Sequence, residues 1–315
     1  MTAVFSILPV IALVALGHIL RRTRIIAPQS WPGIEQLGFR VMFPAILLTS
    51  IYRSELTPGR LAPYLGAMAA AFAMVGLLAL ALRRPLRLNN PRTSSLFQGA
   101  LRFNSLLILA VAAQGLGPVA LSDLAVAMAF LIPAFNISAI IALTLLPPED
   151  PSRPATTRRQ ATRRIATEIL RNPLVLGCVA GLVLNMTGIR LPAWLLTPLD
   201  WLGQGALAVG LLTVGAGIEL RRLWQSDLAM WTGVGLRLLL CPAIFLLIAL
   251  LIALPQNQIA SGLLATAAPG ASVGYILARQ MGGDADFFAD IFTWQTVLSA
   301  MTLSIWLLVG GAIAG

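Results

Sequence analysis

Apolar residues run along this chain in long stretches separated by short polar joints. Crossing the hydrocarbon of a bilayer takes about 20 such residues. Stretches of spanning length lie at 3–20, 33–52, 61–82, 95–115, 119–146, 168–188, 196–220, 227–254, 258–281 and 287–314. The pattern predicts an all-α membrane protein of ten transmembrane helices, with nearly the whole chain consumed by spans and no soluble catalytic domain left over.

Composition agrees: of 315 residues 58% are hydrophobic and 11% charged, more apolar surface than a soluble interior can hide. All 22 basic residues are arginines, and the formal net charge is +10. Sixteen of them fall in the odd-numbered joints and three (Arg53, Arg60, Arg190) in the even ones, the bias expected when odd joints face the cytoplasm. Both termini are then outside, in a multi-pass membrane protein. No basic stripe with interleaved aromatics appears, so nucleic acid is not an expected partner. The first 24 residues have no basic start, and their arginines follow the apolar run, which reads as a first span rather than a removable signal.

The joint at 147–167 is rich in proline and arginine and divides the chain near its middle. Residues 1–146 and 168–315 then form two five-span halves. An odd-numbered unit repeated in tandem enters the membrane the second time upside down, so two inverted repeats are expected, joined by a basic cytoplasmic linker. The second spans of the halves look alike, FPAILLTSIYRSEL at 43–56 and GLLTVGAGIELRRL at 210–223, a match short enough to arise by chance.

Irregular backbone at membrane depth survives only where protein buries it or a cavity needs it, so breaks point to a site. The fourth span carries Arg102, Asn104 and Ser105, and the ninth carries Pro269, Gly270 and Ser272, each in the fourth place of its half. Pro269 removes a donor, and half-helix N-termini offer bare N–H groups to an anion while freed carbonyls suit a cation. Arg102 is the chosen anion contact; Arg40 and Arg237 lie similarly within spans, and each of the three could instead snorkel to an interface. Asn136 in the fifth span either binds substrate or a cation, or makes an interhelical hydrogen bond worth about 0.6 kcal/mol. Gln204, Thr213 and Gln295 are weaker polar candidates. The expected substrate-binding set is Arg102, Asn104, Ser105, Asn136, Pro269, Gly270 and Ser272.

Cys178 and Cys241 sit in apolar stretches without metal-ligand spacing. Asp123, Glu219 and Asp290 stand near span ends, and the only histidine, His18, abuts Arg21 and Arg22. No metalloprotease, serine-hydrolase or phosphate-loop motif is present, so the chain is not expected to be an enzyme or to hold a cofactor or metal. Transport would run on ion or substrate gradients, with proton or sodium as the candidate coupling ion.

Several segments, LPVIALVALGHILRRTRII (8–26), LGFRVMFPAILLTSI (37–51), ILRNPLVLGCVAGLVLNMTGIRLPAWL (169–195) and AAPGASVGYILARQMGGDADFFADIFTWQTVLSAMTL (267–303), together resemble the auxin efflux carrier family of bacterial and plant transporters. The resemblance implies two inverted five-helix repeats with broken fourth and ninth helices crossing at a central site, a fold related to bile-acid sodium symporters and sodium/proton antiporters. By motif, Asn104 matches the asparagine of the fourth-helix break and Pro269 the proline of the ninth. The usual pattern continues through glycine to proline, whereas here it reads Asn104-Ser105-Leu106-Leu107. Small mono- or dicarboxylates are the implied cargo and a bacterial inner membrane the implied location; alternating access, one repeat-derived bundle rocking against the other, is the expected mechanism. A sodium-coupled symporter and a non-transporting sensor or scaffold are the alternatives. The expected partners are the carboxylate and the bilayer, with a second copy of the chain as a permitted dimer mate.

Overall fold

The computed structural model describes residues 2–54, 58–146, 158–218, 222, 224, 227–271 and 273–313. All regular structure among them is helical. In chain order the helices are α1 (Thr2–Arg22), α2 (Pro28–Tyr52), α3 (Pro58–Ala81), α4 (Asn90–Leu101), α5 (Ser105–Gly115), α6 (Gly117–Leu145), α7 (Arg158–Leu170), α8 (Pro173–Thr187), α9 (Ala193–Ala216), α10 (Leu228–Leu251), α11 (Gln256–Ala267), α12 (Val273–Met281) and α13 (Ala285–Ile313). Counting α4 and α5 as one run, seven helices among the described residues are long and apolar enough to cross a membrane: α2, α3, α4–α5, α6, α9, α10 and α13.

Helix ends follow local chemistry. Asn89, Asn172 and Asp227 cap α4, α8 and α10, each side-chain oxygen accepting a first-turn N–H that has no partner within the helix. Within α10 the backbone widens into a π turn over Leu236–Leu240, just before Pro242. Proline cannot return a hydrogen bond to the carbonyl four residues back, and the indole N–H of Trp306 donates to that Leu238 oxygen at 2.8 Å. The polar joint differs from a plain linker: its second part is α7, which packs on α6, while 147–157 lie outside the described residues.

Helices α1, α2, α8 and α9 pack on one another as one group; α3, α4 and α10 to α13 form a second, with α5 and α6 along the seam. Small residues bring the first group together. A Cβ on Gly177 or Gly181 of α8 would lie 2.7 Å from the carbonyl oxygen of Pro44 or Leu48 on α2. Gly215 of α9 faces the Val14 carbonyl of α1, and Gly17 faces that of Leu212. In lipid, where no hydrophobic force pulls apolar helices together, such backbone approach supplies the dispersion contact.

Polar pairs collect at the two ends of these helices. At one end Arg53 meets Asp200 at 2.7 Å, Asn185 donates to the carbonyls of Ile51, Tyr52 and Ser54, and Arg60 grips buried Asp123 at 2.7 Å. Asn257 and Gln258 also donate to Asp123, and these added bonds offset the cost of burying its charge. At the other end Arg92 pairs with Asp227 and, at 3.9 Å, with Asp284; Arg222 reaches Asp286 and Asp290, each at 3.0 Å; and Arg21 donates to the Ala216 carbonyl.

Candidate functional site: two interrupted helices and an arginine-lined cavity

The run from Asn90 to Gly115 is interrupted at Arg102-Phe103-Asn104, with neither proline nor glycine in the gap. Arg102 and Asn104 are extended, with ψ of 140° and 95°. Asn104 then starts α5 as its cap, the Oδ1 accepting from the N–H groups of Leu106 at 3.1 Å and Leu107 at 3.2 Å. The facing run is interrupted between Ala267 and Val273; within it Ala268 is extended, with φ −67° and ψ 148°.

The interruptions bond to each other. The N–H of Asn104 donates to the Pro269 carbonyl at 2.8 Å. Gln295 of α13 completes the crossing: its Oε1 accepts from the Gly270 N–H at 2.9 Å, and its Nε2 donates to the carbonyls of Gly99 at 2.9 Å and Gly233 at 3.0 Å. One buried amide thus serves three backbone segments, two of them flanking the breaks. A Cβ on residue 270 would lie 2.9 Å from that Oε1, so any side chain there would displace the Gln295 amide.

Arg237 does not snorkel. It is fully buried in α10, where its Nε and Nη2 donate to the carbonyls of Ala268 and Ala265, each at 2.7 Å. The guanidinium carbon lies 5.0 Å from the centroid of the Phe72 ring.

A cavity of about 660 Å³ lies on the seam and reaches the first interruption. The first helix group contributes Arg40, Arg171 and Asn172, the second Arg102, and the seam helices Ser105 and Asn136. Phe103 and Phe135 form an apolar wall. Three guanidinium groups line the cavity, and no carboxylate does among the described residues. Arg102 is 6% exposed, and its Nη2 donates to Asn136 Oδ1 at 3.0 Å, which aims the guanidinium. Asn172 caps α8 by accepting from Leu174 at 3.0 Å, so the N-termini of both α5 and α8 border the cavity. Helix N-termini carry partial positive charge, so these two helix starts and the three arginines suit an anion.

A second cavity of about 750 Å³ lies on the same seam at the opposite end of α5, lined by Arg53, Arg60, Ala113 and Gly117 among others. It does not touch either interruption. The two cavities meet α5 at Ser105 and at Ala113, about 12 Å apart along the helix axis.

Of the residues expected from sequence, Arg102, Ser105 and Asn136 come together on the cavity wall. Asn104, Pro269 and Gly270 build the crossing behind it without lining it. Ser272 lies outside the described residues, as does Glu219. Thr213 bonds back to its own helix at Gly210, and Gln204 is exposed, so neither reaches the site. In sequence Arg171 reads as the end of the basic joint and Asn172 as part of the sixth span; the signal that could have found them is Asn-Pro at a helix start with an arginine before it.

A family profile described as membrane transport protein matches residues 139–307. No curated protein matches the chain by sequence. The match covers more than half the chain and takes in α8 to α12 with the second interruption, the crossing glutamine and the buried arginine. The chain belongs to the membrane transport protein family, that of the auxin efflux carriers.

Proposed function

We propose that this membrane transporter carries small organic anions, mono- or dicarboxylates, by alternating access. The observation that carries the reading is the cavity with Arg40, Arg102 and Arg171 on its wall and no carboxylate among its described lining. A carboxylate entering it meets the Arg102 fork, already oriented by Asn136, and the N-terminal turn of α5 behind Ser105. Phe103 and Phe135 give its carbon skeleton an apolar surface.

Access alternates when one helix group moves against the other along the seam. The present arrangement fits the state open to the arginine-rich face, since the cavity reaching the interruption also touches Thr167 and Arg171 beside the basic joint. The reading extends to ten crossings in two inverted halves, 1–146 and 168–315 joined by the linker 147–167, in a bacterial inner membrane with both termini outside. Supporting it, each of the polar pairs described above joins segments whose numbers along the chain require the same membrane face.

The test is uptake into proteoliposomes of labelled malonate, malate and lactate against neutral glycerol and cationic choline. Saturable uptake of at least one acid, cut about tenfold or more by Arg102→Gln, is expected. Preference for choline or glycerol, or uptake indifferent to Arg102→Gln, contradicts the reading.

A further inference from the structure

Pro269 leaves a specific debt in the backbone. It has no N–H, so the carbonyl of Ala265, four residues earlier, has no helical donor, and the extended Ala268 turns its own carbonyl out of the helix. Oxygens freed in this way at the C-terminal end of a half-helix are what a coupling cation binds in broken-helix carriers. Here both are taken. Arg237 Nη2 donates to Ala265 and Nε to Ala268, while Nη1 contacts Cys241 Sγ at 3.8 Å.

Arg237 is 0% exposed, and no ion pair among the described residues includes it. Its charge is balanced by carbonyl dipoles, the half-helix C-terminus and the face of Phe72. Phe72 in turn packs on Phe135 at 4.8 Å and Phe103 at 5.8 Å between centroids, the rings that wall the cavity. Aromatic rings therefore stand between the guanidinium and the cavity, and Arg237 does not line it.

We propose that Arg237 is a built-in cation, occupying the Ala265 and Ala268 carbonyls that a sodium ion would otherwise need, so that the anion crosses without sodium coupling. This rests on the carrier reading above and adds to it which residue stands in for the ion. Arg237 is a positioning residue: it holds the half-helix end in place and supplies a fixed positive charge behind the aromatic wall.

The first test needs no substrate. Purified protein is melted in sodium chloride and in choline chloride of equal ionic strength, where melting temperatures within about 1 °C are expected, because no sodium site stabilises the fold. A sodium-specific rise of about 3 °C or more overturns the proposal. The second is malonate uptake in proteoliposomes, expected to change less than about twofold when choline replaces sodium; a loss of about tenfold or more overturns it. Arg237→Lys, which keeps the charge, should hold KM within about threefold, and Arg237→Gln, which keeps hydrogen-bonding ability but no charge, should raise it about tenfold or more. Equal KM values in the two variants overturn the role of the charge. If no anion is taken up at all, the carrier reading fails, and the melting comparison still decides whether a sodium site exists.

Discussion

The backbone N–H of Asn104 donates to the carbonyl oxygen of Pro269 across 2.8 Å, joining two interrupted helices at their breaks. Each break would leave unpaired backbone groups in a low-dielectric interior, at a cost of several kcal/mol apiece. Together they share the debt, and Gln295, Arg237 and the Asn104 side chain settle much of the remainder. The result is irregular backbone held in one geometry beside a cavity of positive character.

Gln295 is the residue on which that geometry most depends. Gln295→Leu keeps the volume but leaves the Gly270 N–H and the Gly99 and Gly233 carbonyls without this partner. A loss of about 3 kcal/mol in stability is expected, with uptake falling alongside. Thermal melting of the purified variant checks it, and an unchanged transition would show that the three bonds carry no weight.

Close backbone approach in the first helix group predicts an asymmetry between glycines. In Gly215→Ala the new methyl meets the Val14 carbonyl, which no side-chain rotation can clear, so α1 and α9 must separate at a cost of about 1–3 kcal/mol. Gly311→Ala has nothing within 4 Å to meet and should be neutral or stabilising by about 0.5–1 kcal/mol through helix propensity. Parallel melts of the two variants decide; equal behaviour contradicts the packing account.

Asp227 caps α10 and pairs with Arg92 outside the spanning segment. Burial pushes its carboxyl up, but Arg92 beside it and the N–H groups of Met230 and Ala229 outweigh that and hold it below the usual carboxylate range. A carboxylate whose folded pKa is depressed stabilises fully above its unfolded value and loses that contribution as pH falls through the folded one. The melting-temperature gap between the wild type and Asp227→Asn should therefore be present at pH 7 and shrink toward pH 3. A gap that grows on acidification reverses the sign and refutes the assignment.

Much of this was legible in the sequence because apolar length and arginine placement are local signals. The break at Pro269 announced itself, since proline cannot continue the hydrogen-bond ladder. The break at Arg102-Phe103-Asn104 carries no such residue, and only the polar cluster and the family resemblance pointed to it; what holds it open, the carbonyl of Pro269 far along the chain, is visible only when the two segments meet. Arg237 was ambiguous for the same reason: an arginine in a span can snorkel or be buried, and which it does depends on acceptors that another helix supplies. Arg171 counts toward orientation in the sequence; the Asn-Pro after it marks a helix start, but only the folded chain brings it to one cavity with Arg102.

The central claim is that the cavity binds a carboxylate through Arg102. Calorimetric titration of malonate into the purified protein, repeated with Arg102→Gln and with Arg53→Gln at the opposite cavity, tests it most directly. The account predicts that Arg102→Gln weakens Kd by about tenfold or more while Arg53→Gln leaves it within about twofold. Equal affinity in the wild type and Arg102→Gln, or weakening confined to Arg53→Gln, would contradict it.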